Sequence, residues 1–193
     1  MKSQVLDNKG IKIEDIKVGL ESFIPSPSQT PGRLNLFEFK NFTLLLDYAH
    51  NPAGLRALQK LIERMDGKPK VGIIAGIGDR RVEDNIEIGQ IAAEMFDEVI
   101  IRQDKNLRGR TDQEIIDMLT IGIEKVTPKK PFKVIPNEFE AITYAVKHAK
   151  KGSLIVLCSD VVPDALDLVM KFKEDEAKDL YKFSVDDIPN AHD

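Results

Sequence analysis

The sequence is poor in cysteine, has no tryptophan and contains no long apolar run. Its 193 residues include one cysteine, which excludes an intramolecular disulfide. Cys158 ends the apolar run Leu154–Cys158, so we predict a buried, unreactive strand cysteine rather than a nucleophile. No apolar run approaches the length of a membrane span, and the opening MKSQVLDNKG lacks the apolar core of a secretion signal. We therefore predict a cytoplasmic protein without a membrane partner.

An excess of positive charge is also missing. The formal net charge is −4, and the 28 Lys and Arg residues are spread along the chain rather than clustered. Proteins that bind nucleic acids usually show a basic patch or stripe. We therefore predict no nucleic-acid partner, whereas small anionic ligands and an oligomer are both compatible with the sequence.

Two glycine-rich nucleotide-binding patterns are incomplete. The only Gly-Lys pair, Gly67-Lys68, has Ile62 in place of the first P-loop glycine and Pro69 in place of Ser or Thr. The run Gly76-Ile77-Gly78 resembles the start of a dinucleotide fingerprint, but Arg81 stands where its last glycine belongs. The sequence therefore argues against a complete P-loop enzyme and against a dehydrogenase.

What the sequence does contain is an alternation of short apolar runs with amphipathic stretches. The predicted strands are Phe42–Leu46, Val71–Ala75, Val99–Arg102, Phe132–Ile135 and Leu154–Cys158. Strands of this kind are typical of a parallel sheet that is covered on both faces. We predict a Rossmann-like open, mostly parallel α/β sheet with helices on both faces. Leu34–Phe39, hairpinned through Lys40-Asn41, predicts an antiparallel edge strand.

The stretches between these strands carry apolar residues at helical spacing. The predicted buried positions of five helices are Leu58, Leu61, Ile62 and Met65; Ile88, Ile91, Ala92 and Met95; Ile115, Leu119 and Ile123; Phe139, Ile142, Val146 and Ala149; and Ala165, Leu168, Val169 and Phe172.

The first thirty residues differ from the rest of the chain. Ile13, Ile16, Leu20 and Phe23 predict one short amphipathic helix, and a segment with three prolines follows it. A lone helix cannot bury its own apolar face. We therefore expect residues 1–30 to be the end of a preceding domain plus a linker, 31–177 to be the main domain, and 178–193 to be a tail.

The densest group of polar motifs surrounds the first parallel strand. Pro31-Gly32-Arg33 precedes that strand, and Asp47-Tyr48-Ala49-His50-Asn51-Pro52 follows it. Ligands of open α/β sheets bind outside the carboxyl ends of strands, where Asp47 could accept hydrogen bonds from a ribose diol. The guanidinium of Arg33 could bind phosphate oxygens in a bidentate manner, and His50 could pack on a sugar or base. Taken singly, these residues have structural alternatives: a helix cap for Asp47 or Asn51, a structural histidine, and a Pro-Gly turn.

Taken together, these motifs resemble the carboxy-terminal domain of the Mur ligase superfamily, which includes peptidoglycan amino-acid ligases and folylpolyglutamate synthase. The fuller stretch from Gly19 through Phe37 to the run Asp47–Gly54 looks most like the cyanophycin synthetases of that superfamily, and the resemblance covers roughly residues 11–172. The resemblance implies that ATP and Mg²⁺ phosphorylate a carboxylate and that an amine then attacks the acyl phosphate. It implies a nucleotide-binding group of Arg33, Asp47, His50 and Asn51. It also implies a central P-loop domain that supplies the metal ligands, so we expect the domain alone to be inactive.

Two further loops follow predicted strands. Asp79 and Arg80 lie in the first, which is either a tight turn alone or, as the resemblance implies, also part of the site for the incoming amino acid. The second, 102–110, is either a solvated loop or a recognition loop for that amino acid. Arginine as the incoming amino acid would need a carboxylate such as Asp104, while Arg108 or Arg110 could hold its α-carboxylate. An acidic amino acid would favour the same arginines.

Several alternatives stay open at this point. Within the superfamily, a peptidoglycan or folylpolyglutamate ligase is the alternative to a cyanophycin synthetase. Outside it, a non-catalytic Rossmann-like binding module is the alternative. His148 and His192 have no partner at metal-ligand spacing, and we predict no role for either.

Overall fold

The computed structural model describes residues 27–103, 107 and 109–178. The predicted amino-terminal helix, nearly all of the predicted tail, and Asp104 and Arg108 lie outside the described residues.

One six-stranded sheet organises the described chain, in the order β1-β2-β6-β3-β4-β5. β1 is antiparallel to β2, and every other neighbouring pair is parallel. The predicted mixed sheet and its hairpinned edge strand are therefore confirmed. The strands are β1 Asn35–Glu38, β2 Phe42–Asp47, β3 Lys70–Ile74, β4 Glu98–Ile101, β5 Phe132–Val134 and β6 Ser153–Cys158.

Helices cover both faces of the sheet, as predicted. One buried cluster joins the first three helices to one face, and a second joins the last two helices to the other. None of the described helices is long and apolar enough to cross a membrane. The helices are α1 Pro52–Ile62, α2 Val82–Met95, α3 Asp112–Val126, α4 Glu138–Lys147 and α5 Val162–Ala177.

Burial explains why the central strands are so apolar. All six residues of β6 are buried, because β6 lies between two other parallel strands and under helices on both faces. Its last residue, Cys158, is buried as predicted, and that burial raises the pKa of the thiol to about 12. The thiol is therefore protonated near neutral pH and a poor nucleophile.

A few predicted positions were wrong. Ala75, Arg102 and Ile135 each lie one residue beyond the observed strand, because the chain turns there toward the following helix. Leu61 and Phe139 are 36% and 41% exposed rather than buried. Leu55 occupies the buried stripe of α1 instead, two turns before Ile62.

Helices α2 and α3 approach each other unusually closely through two buried glycines. A side-chain carbon at Gly89 would lie 2.1 Å from the backbone oxygen of Leu119, and one at Gly122 would lie 2.0 Å from that of Ile86. Neither position has room for a methyl group, because the obstructing atoms belong to the backbone of the neighbouring helix. This contact fixes how α3 lies against the sheet and hence where the loop before it runs.

Candidate functional site

The polar motifs follow strands whose carboxyl ends meet at one edge of the sheet, which we call the carboxyl edge. Asp47 ends β2 directly beside Cys158 of β6, and Arg102 follows β4. Helix α3, which follows β4, belongs to one buried cluster, and helix α4, which follows β5, belongs to the other. The chain therefore leaves these two neighbouring strands toward opposite faces of the sheet. Such switch points open a crevice in which α/β proteins bind ligands.

Asp47 ties the Pro31-Gly32-Arg33 segment to the end of β2. Its carboxylate accepts the Leu34 backbone N–H at 3.0 Å through Oδ2 and the Ala49 N–H at 2.8 Å through Oδ1. The residue is only 9% exposed, so these bonds are poorly accessible to water. The structure therefore brings together the two motifs that the β1–β2 hairpin separates in the sequence.

Tyr48 links two of the predicted nucleotide-binding side chains. The guanidinium carbon of Arg33 lies 4.9 Å from the centre of the Tyr48 ring, and the His50 ring meets the same ring edge-on at 4.7 Å. His50 Nδ1 also lies 3.0 Å from the Tyr48 carbonyl oxygen. A cation resting on a phenol ring keeps its N–H groups available for phosphate oxygens. Sequence reasoning gave Tyr48 no role, although its place inside the motif was a signal.

Asn35 is a second residue that sequence reasoning missed. Its fully buried side chain accepts the Gly32 N–H at 2.7 Å and donates to the carbonyl oxygens of Thr30 at 3.0 Å and Arg33 at 3.3 Å. These bonds hold the turn from which Arg33 projects. Gly32 is at φ +71°, where a side chain would be strained and would collide with Val162. The Pro-Gly-Arg run is thus a rigid turn.

Asn51 is the N-cap of α1. It has extended backbone angles, and its Oδ1 accepts the Gly54 N–H at 2.8 Å, with Pro52 at the start of the helix. The structural alternative for Asn51 is therefore confirmed, and its nucleotide-binding role stays a prediction.

Substitution of Asn51 can separate its role as the helix cap from a role in ligand binding. We expect Asn51→Ala to lower the free energy of unfolding by about 1 kcal/mol, because one N–H of the first turn loses its acceptor. Asn51→Ser keeps an N-cap acceptor and should cost much less. Denaturant unfolding of both variants measures this, and equal losses for alanine and serine would contradict the capping role.

The loop after β3 is joined to the 102–110 loop. Arg110 donates from Nε to the Gly78 carbonyl at 2.8 Å and from Nη2 to the Arg80 carbonyl at 3.1 Å. The Gly78 backbone also packs on the Leu107 carbonyl so closely that a side-chain carbon there would lie 1.7 Å from the oxygen. The structure thus brings together Asp79, Arg80 and Arg110 of the predicted amino-acid site. Arg110 is engaged with backbone oxygens, and its contact with an α-carboxylate stays a prediction.

A cavity of about 380 Å³ opens at the carboxyl edge beside this loop. The ends of β4 and β5 and the first turns of α3, α4 and α5 form its walls. Its lining includes Arg102, Gln103, Asp112, Asn137, Glu138 and Asp164.

Arg102 is the buried charge of this cavity and is only 3% exposed. Its Nε lies 2.8 Å from Oε2 of Glu138, and its Nη2 lies 2.7 Å from Oδ1 of Asp160. Nη2 also donates to the Cys158 carbonyl at 3.0 Å. Sequence reasoning placed Arg102 at a strand end and at the start of the 102–110 loop but gave its side chain no role, although a charged residue closing an apolar strand was a signal.

Within residues 27–103, 107 and 109–178, no group of three or more His, Cys, Asp and Glu residues is placed to hold a metal ion.

Comparison with known proteins shows the family. The model of the family "Mur ligase, glutamate ligase domain" matches residues 32–161. A cyanophycin synthetase of Geminocystis herdmanii is 40% identical over 163 residues, which are 84% of this chain and 18% of that protein. The chain thus spans about a fifth of the length of the cyanophycin synthetases that it matches. A UDP-N-acetylmuramoyl-L-alanyl-D-glutamate–2,6-diaminopimelate ligase of Caldanaerobacter subterraneus is 30% identical over 79% of this chain and 30% of its own length.

Solved structures show the same fold at lower identity. FolC of E. coli in complex with ADP aligns with a TM-score of 0.63 and 17% identity, over 85% of this chain and 36% of that one. The fold, the family match and the relatives agree. The chain belongs to the Mur ligase family and contains its glutamate ligase domain.

Proposed function

We propose that the chain is the carboxy-terminal domain of an ATP-dependent amide-bond ligase that adds arginine to aspartate side-chain carboxylates, as a cyanophycin synthetase. The observation that carries the proposal is the carboxyl edge itself. There, Arg33, Asp47 and His50 form a group suited to a nucleotide, next to a separate cavity of a size suited to an amino acid. The cyanophycin synthetases that match most of this chain support the choice of substrates.

The reaction divides between two domains. A carboxylate oxygen attacks the γ-phosphorus of ATP and ADP leaves; the amine nitrogen then attacks the acyl carbon, and phosphate leaves as the amide forms. Arg33 would hold phosphate oxygens and Asp47 the ribose, with His50 and Asn51 beside them. The P-loop and the Mg²⁺ ligands would come from a central domain, of which residues 1–30 are the end and linker. Closure of domain 31–177 over it would exclude water from the acyl phosphate.

The incoming amino acid would bind at the loops beside the cavity. Asp79, Arg80 and Arg110 lie together there, and Asp104 and Arg108 belong to the same loop in sequence. A carboxylate would receive the guanidinium of arginine, and an arginine would receive its α-carboxylate. Because ATP and free amino acids are cytoplasmic substrates, the proposal places the enzyme in the cytoplasm.

A second candidate is a peptidoglycan ligase that adds diaminopimelate. The 30% identity to a diaminopimelate-adding ligase favours it over other members of the superfamily. The two candidates share the acyl-phosphate chemistry and differ in the amine and in the carboxylate acceptor.

The test is an amide-forming assay with the full-length enzyme that contains this domain. ADP release is measured with ATP, Mg²⁺ and an aspartate-rich primer while the incoming amino acid is varied. We expect release that depends on arginine, with arginine found in isopeptide linkage by mass spectrometry. The domain alone should release no ADP under the same conditions.

Two other results would change the assignment. Turnover only with diaminopimelate and a muramyl-peptide acceptor would contradict the cyanophycin synthetase proposal and support the second candidate. No turnover with any substrate pair, from an enzyme with an intact P-loop domain, would favour a non-catalytic binding module.

A further inference from the structure

We propose that Arg102 is a positioning residue for the incoming amino acid, which acts by holding Glu138 and Asp160 and with them the walls of the cavity. This inference rests on the proposed function, in which the amino acid binds at this part of the carboxyl edge. It adds a role for the side chains of Arg102, Glu138 and Asp160, to which the sequence analysis assigned none.

The burial of Arg102 shows that its charge is built into the fold. The side chain of Arg102 is 4% exposed, that of Glu138 is 10% exposed and that of Asp160 is 28% exposed. A buried guanidinium is costly unless opposite charges and hydrogen bonds satisfy it. Glu138 and Asp160 supply the opposite charges, and Asp160 and the Cys158 carbonyl accept hydrogen bonds from Nη2, so the three side chains form one ion-paired unit.

This unit joins segments that are far apart in the sequence. Glu138 is the first residue of α4, and Asp160 lies between β6 and α5. The Ser159 hydroxyl donates to the Glu138 carboxylate at 3.0 Å and accepts the Val161 N–H at 3.2 Å. Ion pairs and hydrogen bonds therefore connect Arg102, the first turn of α4 and the segment before α5, all of which line the cavity.

The contacts of the guanidinium favour an indirect role over direct substrate binding. Nε and Nη2 face the two carboxylates, and Nη1 donates to the Gln103 carbonyl at 3.3 Å. Nη1 and Nη2 thus already donate to protein oxygens, and Nε lies 2.8 Å from the Glu138 carboxylate as an ion pair without hydrogen-bond geometry. Arg102 therefore sets the positions of the first turn of α4 and of the segment before α5. Both of these line the cavity.

Arginine suits this task better than lysine. Its planar fork reaches two carboxylates at fixed angles, whereas an ammonium group is a point charge on a flexible stem. Lysine at this position keeps the charge balance but loses the geometry. The two variants Arg102→Lys and Arg102→Met therefore separate charge from position.

The experiment measures steady-state kinetics of the full-length enzyme for each of its three substrates. We expect Arg102→Met to raise KM for the incoming amino acid about tenfold or more, because displacing binding groups by about 1 Å has effects of this size or larger. KM for ATP and for the primer should stay within about twofold. Arg102→Lys should give an intermediate rise.

The chain offers a matched control at the opposite edge of the sheet. Lys173 and Glu176 form an ion pair of 3.1 Å, in which Glu176 is 8% exposed and accepts the Lys40 backbone N–H. Lys173→Met removes one partner of a buried carboxylate there, as Arg102→Met does at the cavity. We expect it to lower stability without a selective change in any KM.

Other outcomes would overturn the inference. Equal rises in all three KM values, a fall in kcat alone, or the same selective change in Lys173→Met would each contradict a positioning role. If Arg102→Met does not fold, Asp160→Asn removes the negative charge of the more exposed partner and should still raise KM for the amino acid selectively. An unchanged KM in that variant would contradict the inference. A wild-type enzyme without amino-acid-dependent turnover would overturn the proposed function itself, and this inference with it.

Discussion

Replacement of Gly122 by alanine is expected to destabilise the domain by about 3 kcal/mol or more, because the added methyl group meets backbone rather than a movable side chain. That group would lie 2.0 Å from the Ile86 carbonyl oxygen and 2.9 Å from the Gln90 backbone nitrogen. To make room, α3 must move away from α2, and the apolar contacts between these helices are then lost. Denaturant unfolding of the domain measures the loss.

Gly54 is the matched control for this substitution. It also lies inside a helix, but a side-chain carbon there would lie 3.3 Å from its nearest neighbour, the Asn51 side-chain oxygen. Gly54→Ala should stay within about 1 kcal/mol of the unmodified domain, since alanine favours helix more than glycine does. Similar losses at Gly54 and Gly122 would contradict the close approach of α2 and α3.

Replacement of Asp47 by alanine is expected to lower kcat/KM for ATP in the full-length enzyme by about 100-fold or more. Two effects add. The variant loses the carboxylate proposed to hold the ribose, and it frees the Leu34 and Ala49 N–H groups that Asp47 binds. Release of Leu34 loosens the turn that carries Arg33. ADP formation at varied ATP concentration measures the change.

Asp97 provides the control for this loss. Its carboxylate also accepts a backbone N–H, that of Lys70 at 2.7 Å, but at the amino end of β3, away from the carboxyl edge. Asp97→Ala should leave kcat/KM for ATP within about twofold. An Asp47→Ala enzyme that keeps normal ATP kinetics would contradict the proposed nucleotide-binding group.

Local patterns of the sequence were sufficient for most of the fold. The apolar runs of β2 and β6 predicted parallel strands because both faces of these strands are covered, and the hairpin at Lys40-Asn41 predicted the antiparallel edge. The failures at Leu61 and Phe139 have one cause. Periodicity shows which residues are apolar but not how far a neighbouring element extends over the helix, so it overestimates the buried stripe.

The site was less accessible to sequence reasoning. Arg33 and Asp47 were predicted from their motifs, and the Asp47 to Leu34 bond joins those motifs in the structure. The ion pairs of Arg102 were not predicted, because their partners are far away in the sequence. Glu138 is 36 positions from Arg102, and Asp160 is 58 positions from it. Such a pairing follows from the order of strands in the sheet, which the sequence pattern alone does not specify.

The most direct test of the proposed ligase chemistry is oxygen transfer from the acceptor carboxylate to phosphate. The full-length enzyme is given ATP, arginine and a primer whose aspartate side chains carry ¹⁸O, and the released phosphate is analysed by mass spectrometry. An acyl-phosphate route predicts one labelled oxygen in each phosphate formed with an amide bond. Amide formation with label in AMP, or with unlabelled phosphate, would contradict that route and the function proposed for this domain.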